Sequence, residues 1–216
     1  MADSSPAARS PIAPAAPEVV VAGWVVSGRR SDAALTITDQ TPMAKVAVRA
    51  DDCGAVAELF GTDVGRASRR RVDGCVEQVL VTRPVPGEWL VLAGPGEERP
   101  VVGWLVGATP SDRLVSVVDL THGRALLRLT GARAADLLAK ECAVDLGDRG
   151  CPDRRALRTA MAGLAVDVVR DDRAGVPSYL LACERASGQY LLDSLLDSGA
   201  DLGLDVDGFR PTEAHD

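Results

Sequence analysis

Aromatic side chains are scarce: Trp, Tyr and Phe together make up 3% of the 216 residues. The chain therefore has few platforms on which bases could stack. Lysine is scarcer still. Only Lys45 and Lys140 are lysines among 24 basic residues, so arginine supplies 22, and the formal net charge is −7. Phosphate backbones need a basic face to hold, and this balance excludes a nucleic-acid partner from the reading. Histidine occurs twice, at His122 and His215. Neither stands at zinc-ligand spacing from a cysteine, so no metal site is read. The five cysteines, Cys53, Cys75, Cys142, Cys151 and Cys183, form no CxxC pair, and their odd number suits small core residues in a reducing compartment. No apolar run approaches the ~20 residues of a membrane helix. No basic start followed by an apolar stretch marks a secretory signal. We expect a soluble, cytoplasmic protein.

What is present is ordinary for a globular chain: 46% hydrophobic and 25% charged residues. A chain of this length can bury about 70% of its unfolded surface without staples. Residues 1–17 are rich in Ala, Pro and Ser and are expected to be unstructured. Residues 209–216 are read as a flexible tail. Between them, Val19 to Val26, Ala33 to Thr38 and Met43 to Arg49 read as strands, and a short helix through Val56 and Leu59 stops at Gly61. A Gly-, Asp- and Arg-rich loop follows to Gly74, containing Arg69-Arg70-Arg71, either a solvated loop or an anion or protein contact. Cys75 to Thr82 and Trp89 to Leu92 read as strands and Glu98 to Gly107 as a helix. Leu114 to Leu120 and Ala125 to Thr130 are strand-like, and Ala134, Leu137, Leu138 and Cys142 fall at helical spacing. Leu157 to Val169 holds one long or two short strands, Tyr179 to Glu184 another, and the last helix carries Leu191, Leu192, Leu195 and Leu196. Strands and helices mix without strict alternation, which argues for an α+β domain. The strand–turn–helix unit of Val46–Leu59 recurs at Leu127–Leu138, suggesting two small subdomains with mixed or antiparallel sheets, near 18–112 and 113–208.

No self-sufficient active site emerges. There is no GxGxxG, no P-loop and no GxSxG elbow. His122 follows Asp119 by three residues, so the pair is either a general base with its orienter or two turn residues. Asp167 lies in the apolar stretch Leu164 to Val169. Buried, it would be a proton-handling acid; turned outward between Val166 and Val168, it would be solvated. Asp145 is read, like Asp119, as a loop or capping carboxylate.

Several segments carry a resemblance. Pro86-Gly87-Glu88-Trp89-Leu90-Val91-Leu92 resembles a Gly-Pro-Asp-Glu-Trp-Leu strand in the gamma-subunit family of heterotetrameric sarcosine oxidases. Val118-Asp119-Leu120-Thr121, Leu127-Arg128-Leu129-Thr130-Gly131, Ala134, Leu137-Leu138-Ala139-Lys140 and Asp145-Leu146 resemble its next block in order. Arg158-Thr159-Ala160 is similar in part to a Gln-Thr-Arg strand, and Arg185 to Leu195 to an Arg-Ser-Phe-Ala-x-Tyr-Leu helix. Thr121 replaces the family's Ser and Ser187 its aromatic. The pattern is more distantly similar to the folate-binding part of glycine-cleavage T-protein, an aminomethyltransferase. There an essential Asp sits in a Val-Asp-Asp stretch, of which Val166-Asp167-Val168 keeps one Asp.

The resemblance implies an aminomethyltransferase-like fold and an accessory role. The implied complex demethylates sarcosine oxidatively to glycine, with the methyl carbon passing to tetrahydrofolate. The implied partners are large (alpha), medium (beta) and small (delta) subunits, which carry the FAD, FMN, NAD, tetrahydrofolate and zinc sites; none of these is expected on this chain alone. The competing readings are a folate-dependent transferase using Asp167, or an interaction module that borrowed the fold. The accessory-subunit reading predicts exposed apolar surface, and the transferase reading a drug-sized pocket between the two halves with Asp167 on its wall.

Overall fold

The computed structural model describes residues 7–109 and 114–210. Its strands are β1 (Ala8–Arg9), β2 (Glu18–Val21), β3 (Trp24–Ser27), β4 (Leu35–Asp39), β5 (Ala44–Arg49), β6 (Arg66–Arg70), β7 (Val79–Val85) and β8 (Glu88–Ala93). They continue as β9 (Ser116–Asp119), β10 (Arg124–Gly131), β11 (Ala156–Met161), β12 (Leu164–Arg170), β13 (Ser178–Glu184) and β14 (Leu204–Asp207). The helices are α1 (Ala55–Phe60), α2 (Glu98–Ala108), α3 (Ala134–Glu141) and α4 (Gly188–Gly199).

Strand alternation builds four layers. On β10, Leu127 and Leu129 turn toward α3 and α4, where they meet Leu137, Leu138, Leu191 and Leu195. Leu126, between them, faces the other way and packs with Leu80, Leu92 and Leu180 between two sheets. Beyond the second sheet, Val46, Val81 and Val91 bury against Phe60, Val101 and Leu105 of α1 and α2. The stack is helices, sheet, sheet, helices. The six-stranded sheet has the order β11-β12-β13-β10-β4-β14 and the five-stranded sheet β6-β7-β8-β5-β9. Apart from the parallel pair β4–β14, both ladders are antiparallel. This is the expected α+β fold with mixed sheets.

The recurring strand–turn–helix unit is part of a larger repeat. The run β5-α1-β6-β7-β8-α2 and the run β10-α3-β11-β12-β13-α4 share element order, and in each sheet the last meander strand returns beside the first. The two halves nevertheless exchange strands. β4, from the first half, pairs with β10, while β9, from the second, pairs with β5. The expected subdomains 18–112 and 113–208 are therefore interleaved; the cut itself falls among residues 110–113, outside those described. The sheets also join at one edge, where Ala156 donates to Gly65 at 2.9 Å and Ala67 to Arg154 at 2.8 Å.

Four local expectations are corrected. Val19 to Val26 is a hairpin, β2–β3, not one strand, because Ala22 (φ 48) and Gly23 (φ 76) reverse the chain. The Gly/Asp/Arg loop contains β6, whose pairing with β7 removes Arg69 and Arg70 from solvent-facing loop. The extension expected to be unstructured is ordered from residue 7: β1 pairs with β3, and Ile12 joins the core. Its first six residues lie outside those described. At the other end Phe209, assigned to the tail, is buried and donates to the Ser27 carbonyl at 3.1 Å, whereas 211–216 lie outside those described. β14, a short Leu-Asp-Val-Asp segment with weak apolar pattern, had no reading as a strand.

Candidate functional site

The two faces of β12 separate exactly as alternation requires: Val166 and Val168 enter the helix-side core, and Asp167 turns the opposite way. That opposite face is covered by the second sheet, so Asp167 is 6% exposed and not solvated. Its hairpin partner Arg158 stands directly across the ladder and donates from Nε to Oδ1 at 2.6 Å. Arg124 donates from Nη2 to Oδ2 at 3.0 Å. Arg158 also reaches Glu88 of the other sheet at 2.9 Å, and Glu88 pairs with Arg49 at 3.2 Å. The hydrogen bond to Asp167 outweighs burial and holds the Arg158 guanidinium above the usual arginine range. Both carboxylate oxygens of Asp167 are thus committed to guanidiniums. Arg158, held by Asp167 on its own sheet and by Glu88 on the other, ties the sheets together electrostatically.

The niche beside it holds about 70 Å³. Pockets that bury drug-sized ligands run to ~300–1,000 Å³, several times the size of this niche. The residues around Asp167 do not fit folate, which removes the geometric ground for a transferase centred on that residue.

A larger cavity, of about 250 Å³, opens at the other end of the inter-sheet layer, with Asp171 on its wall instead of Asp167. Asp171 is fully buried and binds three arginines: Arg69 at 2.9 Å, Arg128 at 3.0 Å and Arg154 at 2.5 Å. Burial alone would raise its carboxyl, but the charges of Arg128, Arg69 and Arg154 prevail and hold it below the ordinary carboxylate value. A third buried charge pins the β4–β5 turn. The Lys45 ammonium donates to the carbonyls of Thr41 at 2.6 Å and Met43 at 2.8 Å. Burial pushes it down to about 7 against the attraction of Asp39 and Asp119.

The structure does not bring His122 and Asp119 together as base and orienter. Asp119 accepts from the Thr121 backbone at 2.8 Å, a turn of the capping kind, while the exposed His122 ring stacks on Trp24 at 4.7 Å. Asp145 accepts likewise from Gly147 at 2.9 Å. Cys142, Cys151 and Cys183 are buried in the helix-side core; Cys75 is half-buried and Cys53 exposed. Among the described residues no group of three His, Cys, Asp or Glu side chains could hold a metal, and no helix is long and apolar enough to cross a membrane. Sequence reasoning missed the Asp171 cluster and the arginines around Asp167. One signal was available: Arg158 and Asp167 stand equally far from the Ala162-Gly163 turn.

Comparison with known proteins bears on the whole of this architecture. Residues 29–214 match the family described as GCVT N-terminal domain. The chain is 31% identical over 201 residues to sarcosine oxidase subunit gamma of Corynebacterium sp. (strain U-96), covering 92% of this chain and 93% of that protein. The chain belongs to the sarcosine oxidase gamma-subunit family. A second gamma subunit, from Corynebacterium sp. (strain P-1), is 30% identical over 144 residues, covering 67% of this chain and 68% of that protein. Human mitochondrial dimethylglycine dehydrogenase is 21% identical over 180 residues, or 79% of this chain but 21% of that protein. Among solved structures, a chain of the heterotetrameric sarcosine oxidase from Corynebacterium sp. U-96 superposes with a TM-score of 0.66 at 23% identity, covering 82% of this gamma-family chain and 89% of that one. Aminomethyltransferase T of the glycine cleavage system from Bartonella henselae gives 0.64 at 18% identity, covering 88% and 55%. The gamma family and the aminomethyltransferase share this fold.

Proposed function

We propose that this gamma-family chain is the accessory subunit of a heterotetrameric oxidase that demethylates sarcosine to glycine in the cytoplasm, with methyl transfer to tetrahydrofolate. It contributes surface and rigidity to the assembly. The alpha, beta and delta partners hold FAD, FMN, NAD, tetrahydrofolate and zinc. The observation that carries this reading is the 31% identity maintained over 93% of a gamma subunit's length. The chemistry of the chain supports it: Asp167, the one acid that could have served a transferase, has both oxygens spent on Arg124 and Arg158. Apolar surface supports it too. Val106 on α2, Val118 on β9 and Leu114, which leads into β9, are exposed beside an edge strand of the five-stranded sheet, as a subunit face requires.

The test is capture of the tagged full chain from cells that make it at native levels. Flavin absorbance and sarcosine-dependent oxygen uptake should co-purify with it, and the isolated chain should turn over neither sarcosine nor tetrahydrofolate. A captured chain with no flavin, or turnover by the lone chain, overturns the proposal.

A further inference from the structure

The two repeats match residue by residue where their strands cross over. Asp39 ends β4 and leads into Gln40-Thr41; Asp119 ends β9 and leads into Leu120-Thr121. Each Asp accepts from the backbone N–H of the Thr two positions on, at 2.9 and 2.8 Å. Each Thr hydroxyl in turn accepts a backbone N–H of the other repeat, Thr41 from Leu126 and Thr121 from Lys45, both at 3.1 Å. β9 therefore stands in its sheet as β4 stands in the other, with Val115 and Val117 in the places of Leu35 and Ile37. The helices agree. Val101, Val102, Leu105 and Val106 of α2 repeat the spacing of Leu191, Leu192, Leu195 and Leu196 of α4.

The match ends at one strand. β4 is flanked by β10 and, in parallel, by β14, whereas among the described residues β9 pairs with β5 alone. β14 sets Leu204 opposite Leu35 and Val206 opposite Ile37, and both side chains pack with Leu196 against the helix-side core. It comes so near α4 that a Cβ on Gly199 would meet the Leu204 Cβ at 2.7 Å. Val106, which holds the place of Leu196, has no such cover and is 62% exposed. The backbone of β9 is open too. The Leu120 N–H donates to the Lys45 carbonyl at 2.7 Å, so alternation turns the N–H groups of Val117 and Asp119 away from β5. An open edge of this kind is a template for a further strand.

We propose that a strand of a partner subunit fills the place beside β9 that β14 fills beside β4. The occupant is an extended segment running parallel to β9, with apolar side chains at two alternate positions, opposite Val115 and Val117, that cover Val106. This docking edge rests on the accessory-subunit reading and gives it a defined contact.

The experiment compares hydrogen exchange, resolved to single amides, between the lone full chain and the flavin-bearing assembly captured with the tagged chain. The Val117 and Asp119 amides should exchange freely in the lone chain and at least about a hundredfold more slowly in the assembly. The Val118 amide, turned toward β5, should be protected in both. Val106→Glu alters an exposed residue, so the lone chain keeps its fold. Flavin captured per chain should nevertheless fall about tenfold with this variant, because the arriving strand would bury the new charge. Free exchange at Val117 and Asp119 in the assembly, or undiminished capture by Val106→Glu, overturns the docking edge and leaves the accessory reading standing. Slow exchange of those amides in a lone chain of doubled mass gives the edge to a second copy and overturns it as well. Capture without flavin overturns both.

Discussion

Asp171 and Asp167 show what a carboxylate does in the layer between two sheets. Each is removed from water, and each is stabilised only because guanidiniums reach it from different strands. At Asp171 the arginines come from β6, β10 and the segment before β11, so one side chain couples both sheets. Removing its charge leaves three cations around a neutral amide. Asp171→Asn is expected to cost about 3–5 kcal/mol, the usual penalty for breaking a buried ion pair. The pH dependence has a definite sign. A carboxyl held below its unfolded value contributes fully above that value, near 3.9, and its contribution disappears as pH falls through the folded value. Urea midpoints should therefore fall steeply for the parent chain below about pH 4 and less steeply for Asp171→Asn. Parallel pH curves for the two proteins would falsify the assignment of this acid sensitivity to Asp171.

At the scale of the element, three two-residue reversals organise the hairpins: Ala22-Gly23, Ala162-Gly163 and Ala174-Gly175, each with positive φ at both positions. Such turns match the right-handed twist of the strands they join and favour Asn or Asp in the first place. Alanine there pays a steric cost, since its Cβ crowds the following carbonyl. Ala174 is exposed at a hairpin tip, so Ala174→Asn should raise stability by about 0.5–1 kcal/mol, read as a higher thermal midpoint with unchanged far-ultraviolet dichroism. The same substitution of Ala for Asn explains what was legible in the chain. Long periodic segments such as Ala125–Thr130 and Ala134–Cys142 announced their elements, because one apolar face dominates. The hairpin of Val19–Val26 did not, because Ala-Gly inside a valine run carries no turn signal. The ion pairs were hidden for the same reason. Once Ala162-Gly163 is known as a turn, Arg158 and Asp167 must stand opposite each other; without it, Asp167 had no visible partner. That Asp167 would face away from Val166 and Val168 was readable from period alone, but the sheet covering that face is contributed by residues a hundred positions away. Long-range cover of this kind leaves no local mark.

At the scale of the whole molecule, the two repeats share architecture yet are not independent. β4 leaves the first repeat to complete the sheet of the second, and β9 makes the reverse exchange. The layer between the sheets adds a shared core and the buried charges that bridge it. Neither half can bury its inter-sheet face alone, and each would lose a ladder strand on separation. Unfolding should accordingly be a single cooperative transition, the all-or-none behaviour of a domain with one shared core. The chain carries suitable reporters for this. Its three tryptophans, Trp24, Trp89 and Trp104, all lie in the first half, while Cys142, Cys151 and Cys183 are buried in the second. Tryptophan fluorescence, and thiol reactivity in a chain whose Cys53 and Cys75 are replaced by serine, measured along one urea series, should give the same midpoint. Two separated midpoints would mean that the repeats fold as autonomous units and that the strand exchange contributes little. Coincident ones would show that the two repeats unfold as one cooperative unit, held together by the exchanged strands and the shared layer between the sheets.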